Sequence, residues 1–360
     1  MRKTITWLLS VAWVSLFSAA VFSDSPRQHP PSGALPASTE TLMAVGDLNF
    51  HNGLEAKILA DPEYPWLGVK DVLRRATVLI GNLESPLSNR GFMYTKKTWL
   101  LRADPRTALA LRTAGFKVVT LANNHMMDYG PPALLDTLFT LKRLGILHTG
   151  AGMSMEKARQ AVIYKTPQGV RFAFLAYSLT FPEEFWAKAD RPGTVYGSPV
   201  TFLADIKKAR QIADHVVVSF HWGEELKSEL RPYQKSFAHL CIDAGASLVL
   251  GHHPHVLQGL EVYHGGLVAY SLGNFAFGSL SHKTRDSIIL AVEYDRAGLI
   301  RARLYPVNIN NYEVAFQTQF HHGVAAERVL QDLRAFSAEF QTPIITAGEI
   351  GVIPIRPAAP

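Results

Sequence analysis

At 360 residues the chain can form one large domain or two ordinary ones, and with 48% hydrophobic against 18% charged residues it must bury a sizeable core rather than stay disordered. A net charge of +6 with neutral His is a mild bias toward anionic partners. It is too weak for a nucleic-acid-binding protein, and the sequence has no arginine-rich helix and no aromatic–basic interleaving.

The chain opens on "MRKTITWLLSVAWVSLFSAAVFSDSP", in which two basic residues precede an apolar run that ends in small residues and Asp24. Residues 1–23 thus have the layout of a secretory signal. The run is also just long enough to read as an uncleaved membrane anchor. Either reading exports the rest of the chain, to the periplasm or the extracellular space. Residues 24–40 are rich in Pro, Ser and Ala without apolar period and read as a flexible tether. A single folded domain is expected over residues 41–340, with no internal repeat.

From Thr41, short apolar, β-branched runs alternate with helical patterns. The runs are "TLMAV" (41–45), "ATVLI" (76–80), "FKVVTLA" (116–122), "HVVVSF" (215–220), "ASLVL" (246–250) and "GLVAYSL" (266–272). Apolar residues at i, i+3, i+4 mark helices over 66–76, 105–115, 131–145, 198–213 and 231–245. Three of these end in Gly at the expected stop, and 131–145 opens on Pro-Pro at the expected start. Residues 162–178 and 286–307 read as hairpins around Pro-Gln-Gly and Arg-Ala-Gly. The alternation predicts mixed sheets covered by helices, an α/β fold. Cys241 is the only cysteine, so no internal disulfide can form, and its helical surroundings make it a small core residue.

Each apolar run gives way to polar residues. The first leads to Asp47 and His51, the second to Asn82 and Glu84, the third to Asn123, Asn124, His125 and Asp128. The fourth leads to His221 and Glu225, the fifth to "GHHPHV" (251–256) and the sixth to Asn274. Ligands of open α/β sheets bind outside the carboxyl ends of the strands. Carboxylate, imidazole and amide oxygen are donors that Mn, Zn and Fe accept. Such a set suits a two-metal site, its ions roughly 3.5–4 Å apart, which polarises a phosphoryl oxygen and activates water. Singly, "GD" reads as a turn, "NNH" as a helix cap and "HWG" as core packing; at successive strand ends they make a site. In an extended "HHPH" segment, His253 and His255 would face one side and His252 the other, as a residue that orients a ligand or one that packs.

In unbroken order over residues 41–280, "AVGDLNFH", "IGNLESPLS", "LANNHMMDYG", "FHWGEE", "LVLGHHPHVLQGLEVY" and "YSLGNFAFGS" resemble the bacterial capsule-synthesis family known as CapA or PgsA, tied to poly-γ-glutamate capsules. That family looks like a divergent branch of the calcineurin-like metallophosphoesterases. The resemblance implies their four-layer α/β/β/α sandwich of mixed sheets with a metal centre at the strand ends. Position by position, it implies Asp47, Glu84, Asn124, His221, His253 and His255 as metal ligands and His125 as the catalytic residue facing the substrate. Asn49 stands where the superfamily has a histidine, which leaves His51 as a further candidate; Asn82 and Glu225 are also candidates, as ligands or as partners that orient ligands. Ser247 and Leu226 stand where the family has an acid and a tyrosine.

The cofactor implied is a divalent metal, two ions of Mn, Zn or Fe. The partners implied are an anionic polymer such as poly-γ-glutamate or a phosphorylated precursor, and membrane-bound capsule machinery. Lys96, Lys97 and Arg102, in "YTKKTWLLR", would contact that anion. Two functions fit: a metal-dependent hydrolase, or a non-catalytic accessory that grips the polymer during export or release.

Overall fold

The computed structural model describes residues 39–356, so the expected signal or anchor and nearly all of the tether lie outside the described residues. Two sheets carry the fold. The larger has ten strands, eight of them in the order Ile345–Ala347, Ile350–Pro354, Gly298–Asn308, Asp286–Asp295, Glu40–Asn49, Val78–Leu83, Val118–Thr120, Leu147–Thr149. Asn274–Phe277 also pairs with the far end of Glu40–Asn49, in parallel. The second sheet has six strands, in the order Leu260–Tyr263, Gly266–Ala269, Leu248–His252, His215–His221, Arg171–Ser178, Val162–Lys165. Both sheets mix parallel and antiparallel pairs, and both expected hairpins form.

Alternation along the strands builds the layers, because successive side chains leave a strand on opposite faces. Leu42, Ala44, Val78 and Ile80 pack against Phe172, Phe174, Val217, Leu248 and Leu250 between the sheets. Their neighbours Met43, Val45 and Leu79 face outward onto Leu54, Ile58, Leu111, Leu134 and Leu141 of the helices Gly53–Ala60, Leu109–Ala114 and Gly130–Arg143. On the second sheet, Ala173, Leu175, Val216, Val218 and Val249 point away from the first, onto Phe202, Ile206, Cys241 and Ile242 of the helices Pro199–Arg210 and Pro232–Asp243. The order is helix, sheet, sheet, helix. Each fully buried aliphatic or aromatic side chain contributes about 1.5–3 kcal/mol to holding it.

The three glycine stops lie just past their helices in the left-handed region, Gly115 at φ 91°, Gly145 at 69° and Gly245 at 107°. The helix expected over 66–76 is reduced to a 3₁₀ turn, Tyr64–Trp66, and one α turn, Lys70–Leu73. Trp66 is held inward there by its indole N–H to the Ala110 carbonyl at 2.7 Å. The domain does not stop at residue 340. Ile345–Ala347 and Ile350–Pro354 pair with each other and onto Gly298–Asn308, and Ile353 enters the inter-sheet core. Strands this short, with few core-facing side chains, leave almost no period in the sequence.

Candidate metal centre

The carboxyl ends of strands from both sheets meet at one place. The larger sheet brings Asp47, Glu84 and Asn124, each at or just past the end of its strand, and the second brings His221 and His252, paired in register, with His253 and His255 just beyond. Two glycines let the strands approach. A Cβ on Gly46 would stand 2.0 Å from the Gly273 carbonyl, and one on Gly251 would stand 1.8 Å from the Tyr270 carbonyl.

Asp47 is fully buried and surrounded by donors. Its Oδ1 accepts from Asn82 Nδ2 at 2.9 Å and its Oδ2 from the His253 backbone N–H at 3.1 Å. His252 Nδ1 stands 3.1 Å from Oδ1 and His255 Nδ1 stands 3.3 Å from Oδ2. Asn82 is in turn fixed by Thr120 Oγ1 and Asn123 Nδ2, both 3.2 Å from its Oδ1. It therefore orients Asp47.

Glu84 is the opposite case. It is equally buried, yet neither carboxylate oxygen has a hydrogen-bond partner. His221 Nε2 lies 3.6 Å from Oε1 and His255 Nε2 lies 3.9 Å from it. An orphaned buried carboxylate is costly unless something compensates it. Donor atoms of Asp47, Glu84 and His255 all lie within 4.8 Å of one another, as do those of Glu225, His253 and His255. Oxygen and imidazole donors converging on unpartnered carboxylate oxygens fit a divalent cation. His221 borders both sets, its Nε2 being 2.8 Å from Asn124 Oδ1 and 3.2 Å from His253 Nδ1.

Burial pushes Glu84 up to about 8 and pulls His253 down to about 3. Burial, with a smaller contribution from the neighbouring His253, also holds His221 well below the usual imidazole value. Burial would lower His255 too, but the Glu84 and Asp47 carboxylates outweigh it and hold the ring at about 10. Asp47 stays well below the ordinary carboxylate value despite its burial, because His252 and His255 favour its charge.

His252 does not turn away. The extended-chain reading fails because His253 and His255 adopt positive φ, 94° and 58°. The backbone coils after the strand instead of alternating, so all three imidazoles reach the same side. His51 goes the other way: its backbone N–H bonds Asn49 Oδ1 at 3.0 Å, and its side chain joins neither donor set.

His125 forms a separate pair with Asp128. Its Nδ1 donates to Asp128 Oδ2 at 2.6 Å, which leaves Nε2 as the free nitrogen. Burial lowers its pKa, opposed by Asp128. Lys97 donates to Asp128 Oδ1 at 2.7 Å and to the Asn124 carbonyl at 2.6 Å, and is mostly buried. Of the three cations expected to meet substrate, only Lys97 enters the site. Lys96 pairs with Glu184 at 3.0 Å in solvent, and the Arg102 guanidinium covers the Tyr129 ring at 3.9 Å. The Lys97–Asp128 pairing has no signal in the sequence beyond two polar residues in separate loops. A cavity of about 490 Å³ opens beside Asn124 and His253, walled by Phe181, Tyr196, Tyr233 and Phe237.

The sequence profile described as "Bacterial capsule synthesis protein PGA_cap" matches residues 41–279. The chain is 32% identical over 312 residues to the capsule biosynthesis protein CapA of Bacillus anthracis, covering 84% of this chain and 73% of that protein. It is 34% identical over 243 residues to the PGA biosynthesis protein CapA of Bacillus subtilis (strain 168), covering 67% of this chain and 64% of that one. Among solved structures it is similar to the calcineurin-like phosphoesterase YfkN from Bacillus subtilis, at 14% identity and a TM-score of 0.40, over 72% of this chain and 86% of that one.

Proposed function

Because the chain belongs to the bacterial capsule synthesis protein family, we propose that it is a metal-dependent hydrolase of that pathway, acting outside the cytoplasm on an anionic polymer such as poly-γ-glutamate or on its phosphorylated precursor. The observation that carries this reading is Glu84, a buried carboxylate with both oxygens unpartnered among Asp47, His221 and His255. Asp47, Glu84 and His255 would hold one divalent ion, and Glu225, His253 and His255 form the second candidate set, with Asn124 and His221 beside them. A bound ion of this kind supplies Lewis acidity toward an anionic oxygen.

The chain's own residues do the rest. Asn82 and the His253 backbone N–H fix the Asp47 carboxylate. Asp128 holds His125 by Nδ1, so that Nε2 is placed to move a proton to or from the leaving group. Lys97 fixes Asp128 and puts a positive charge beside the site. Phe181, Tyr196, Tyr233 and Phe237 wall the adjoining cavity.

One observation favours the second reading, an accessory that grips the polymer without cleaving it. Asn49 occupies the position of a superfamily histidine, its Nδ2 is buried without a partner, and His51 does not substitute for it. The deciding experiment loads the purified protein with Mn²⁺, Zn²⁺ or Fe²⁺, dialyses it, and measures bound metal together with product released from a phosphodiester and from poly-γ-glutamate. Metal binding with turnover that Glu84→Gln abolishes supports the hydrolase. Metal binding without turnover of either substrate leaves the accessory role.

A further inference from the structure

Glu225 is exposed, yet its carboxylate stands with two imidazoles of the site, the donor atoms of Glu225, His253 and His255 all lying within 4.8 Å of one another. The cations around it are spoken for. Arg231 pairs with Glu224 and Lys97 with Asp128, and among the described residues no cation pairs with Glu225. Its backbone is fastened on both flanks to the histidine segment. The Trp222 N–H donates to the His252 carbonyl at 3.0 Å, and the Leu226 N–H donates to the Pro254 carbonyl at 2.8 Å. Leu226 does so at φ 61°, a left-handed conformation that leucine rarely takes. Gly223 turns at φ 87° and donates its N–H to the Tyr233 hydroxyl at 2.8 Å. Beyond the loop, the fully buried Gln258 donates to the Lys227 carbonyl at 3.0 Å. A solvent-facing carboxylate is thus carried on backbone that the histidines themselves hold in place.

His255 belongs to both donor sets but can serve one ion at a time. Its Nδ1 lies 2.8 Å from Asn274 Oδ1 and 3.3 Å from Asp47 Oδ2, both acceptors, so Nδ1 carries a proton. Only Nε2 has a lone pair to give. One set offers that nitrogen the company of two fully buried carboxylates, Asp47 and Glu84, and the other offers one exposed carboxylate. Attraction to a divalent cation grows with ligand charge and with the exclusion of water. The buried set therefore takes His255, and Glu225 and His253 are left to share a second ion with solvent. His253 also lines the cavity of about 490 Å³, whereas Asp47, Glu84 and His255 do not.

We propose that Glu225 is the ligand of an exchangeable divalent ion, held with His253 on the cavity side of the centre and more weakly than the ion of Asp47, Glu84 and His255. Exposure is what lets Glu225 release its ion. A bare Glu225 carboxylate returns to water at little cost, whereas emptying the buried set strands charge away from solvent. The proposal rests on the metal-centre reading above and does not depend on turnover.

The test strips the full chain of metal with chelator, titrates it with Mn²⁺ and counts the free ion by electron paramagnetic resonance. Wild type should show one tight and one weaker class of site. Glu225→Gln should weaken the second class by about 10–100-fold, the range for losing even a residue that only orients a ligand. It should leave the tight class unchanged, and also the unfolding midpoint of the chelated protein, because the side chain is exposed. Glu84→Gln should remove the tight class. The proposal is overturned if Glu225→Gln binds both classes as wild type does, if it weakens the tight class as much as Glu84→Gln does, or if wild type has a single class. Two classes that respond as expected, in a protein that turns over neither phosphodiester nor poly-γ-glutamate, would uphold the Glu225 assignment and sink the hydrolase reading alone. No Mn²⁺ binding at all would overturn both.

Discussion

The His253 backbone N–H donates to Asp47 Oδ2 at 3.1 Å, joining two strand-end motifs across 206 positions of sequence. Asp47 is thus both a candidate metal donor and an acceptor that pins the histidine segment. Asp47→Ala should lose bound metal and also destabilise the metal-free protein by about 1–3 kcal/mol, the range for leaving a buried donor unsatisfied. Metal stoichiometry after dialysis and denaturant unfolding in chelator measure the two losses separately. Loss of metal with unchanged stability would mean that the His253 contact contributes nothing.

Glu84→Gln should behave in the opposite way. The native carboxylate is buried without a partner, and burial raises its pKa to about 8. The neutral amide removes the cost of burying a charge. Chelated protein should therefore be as stable as wild type or more so, while bound metal falls. A clear drop in the melting temperature of the chelated variant would show that Glu84 serves the fold and is no candidate ligand.

Much of this site is legible from residue types at strand ends, because apolar runs announce where a strand stops and the polar residues after them are few. Asp47, Glu84, Asn124, His221, His253 and His255 stand out this way, and the structure brings them together. Direction is another matter. Extended backbone would put His252 on the opposite side from His253 and His255, and positive φ at those two residues, uncommon outside glycine, brings all three to one side. The layers are legible from alternation, since Val216, Val217 and Val218 must face opposite cores. The helices Gly53–Ala60 and Gly323–Phe336 and the last two strands are absent from the sequence reading. Gly53–Ala60 and the two strands are held by tertiary packing more than by their own pattern, whereas Ala326, Val329, Leu330 and Leu333 give Gly323–Phe336 a helical period that could have found it.

The position of His252 makes its own prediction. Its Nδ1 lies 3.1 Å from Asp47 Oδ1, so His252→Ala should reduce bound metal measurably, by less than His253→Ala or His255→Ala but well beyond an exposed control such as His264→Ala. Identical metal content in wild type and His252→Ala would return His252 to a packing role.

A pH dependence arises from Asp286, far from the metal centre. It accepts from His321 Nε2 at 2.9 Å and from both Nη atoms of Arg328 at 2.9 and 2.7 Å, fastening the helix Gly323–Phe336 to its strand. Burial raises the Asp286 pKa, but these partners outweigh it and bring it to about 2. The unfolded value is near 4, so between the two the unfolded chain binds more protons. The stabilisation is full above about pH 4 and disappears as pH falls toward 2. Asp286→Asn should cost about 1–2 kcal/mol at pH 7 and close to nothing at pH 2. Unfolding curves at several pH values would expose a constant difference, which the ion-pair account forbids.

Gly46→Ala tests the close approach beside Asp47. The added Cβ would meet the Gly273 carbonyl at 2.0 Å, backbone that cannot step aside. A loss of about 2–3 kcal/mol is expected, at the upper end for overpacking, with weakened metal binding because Asp47 is the next residue. Wild-type stability in that variant would mean the strands can separate freely here.

The donors are divided between the two sheets, with Asp47 and Glu84 on one and the histidines on the other. The Asp47, Glu84 and His255 set cannot grip an ion until the sheets have docked, however completely each has formed its own hydrogen bonds, whereas Glu225, His253 and His255 all follow strands of the second sheet. Ion capture by the first set would thus act as a latch on the docking of the two halves. The first set would therefore fill only after the sheets have collapsed onto each other, from whatever ions the surrounding compartment supplies. The compartment where folding finishes, as much as the ligand set, would then decide which metal the protein carries.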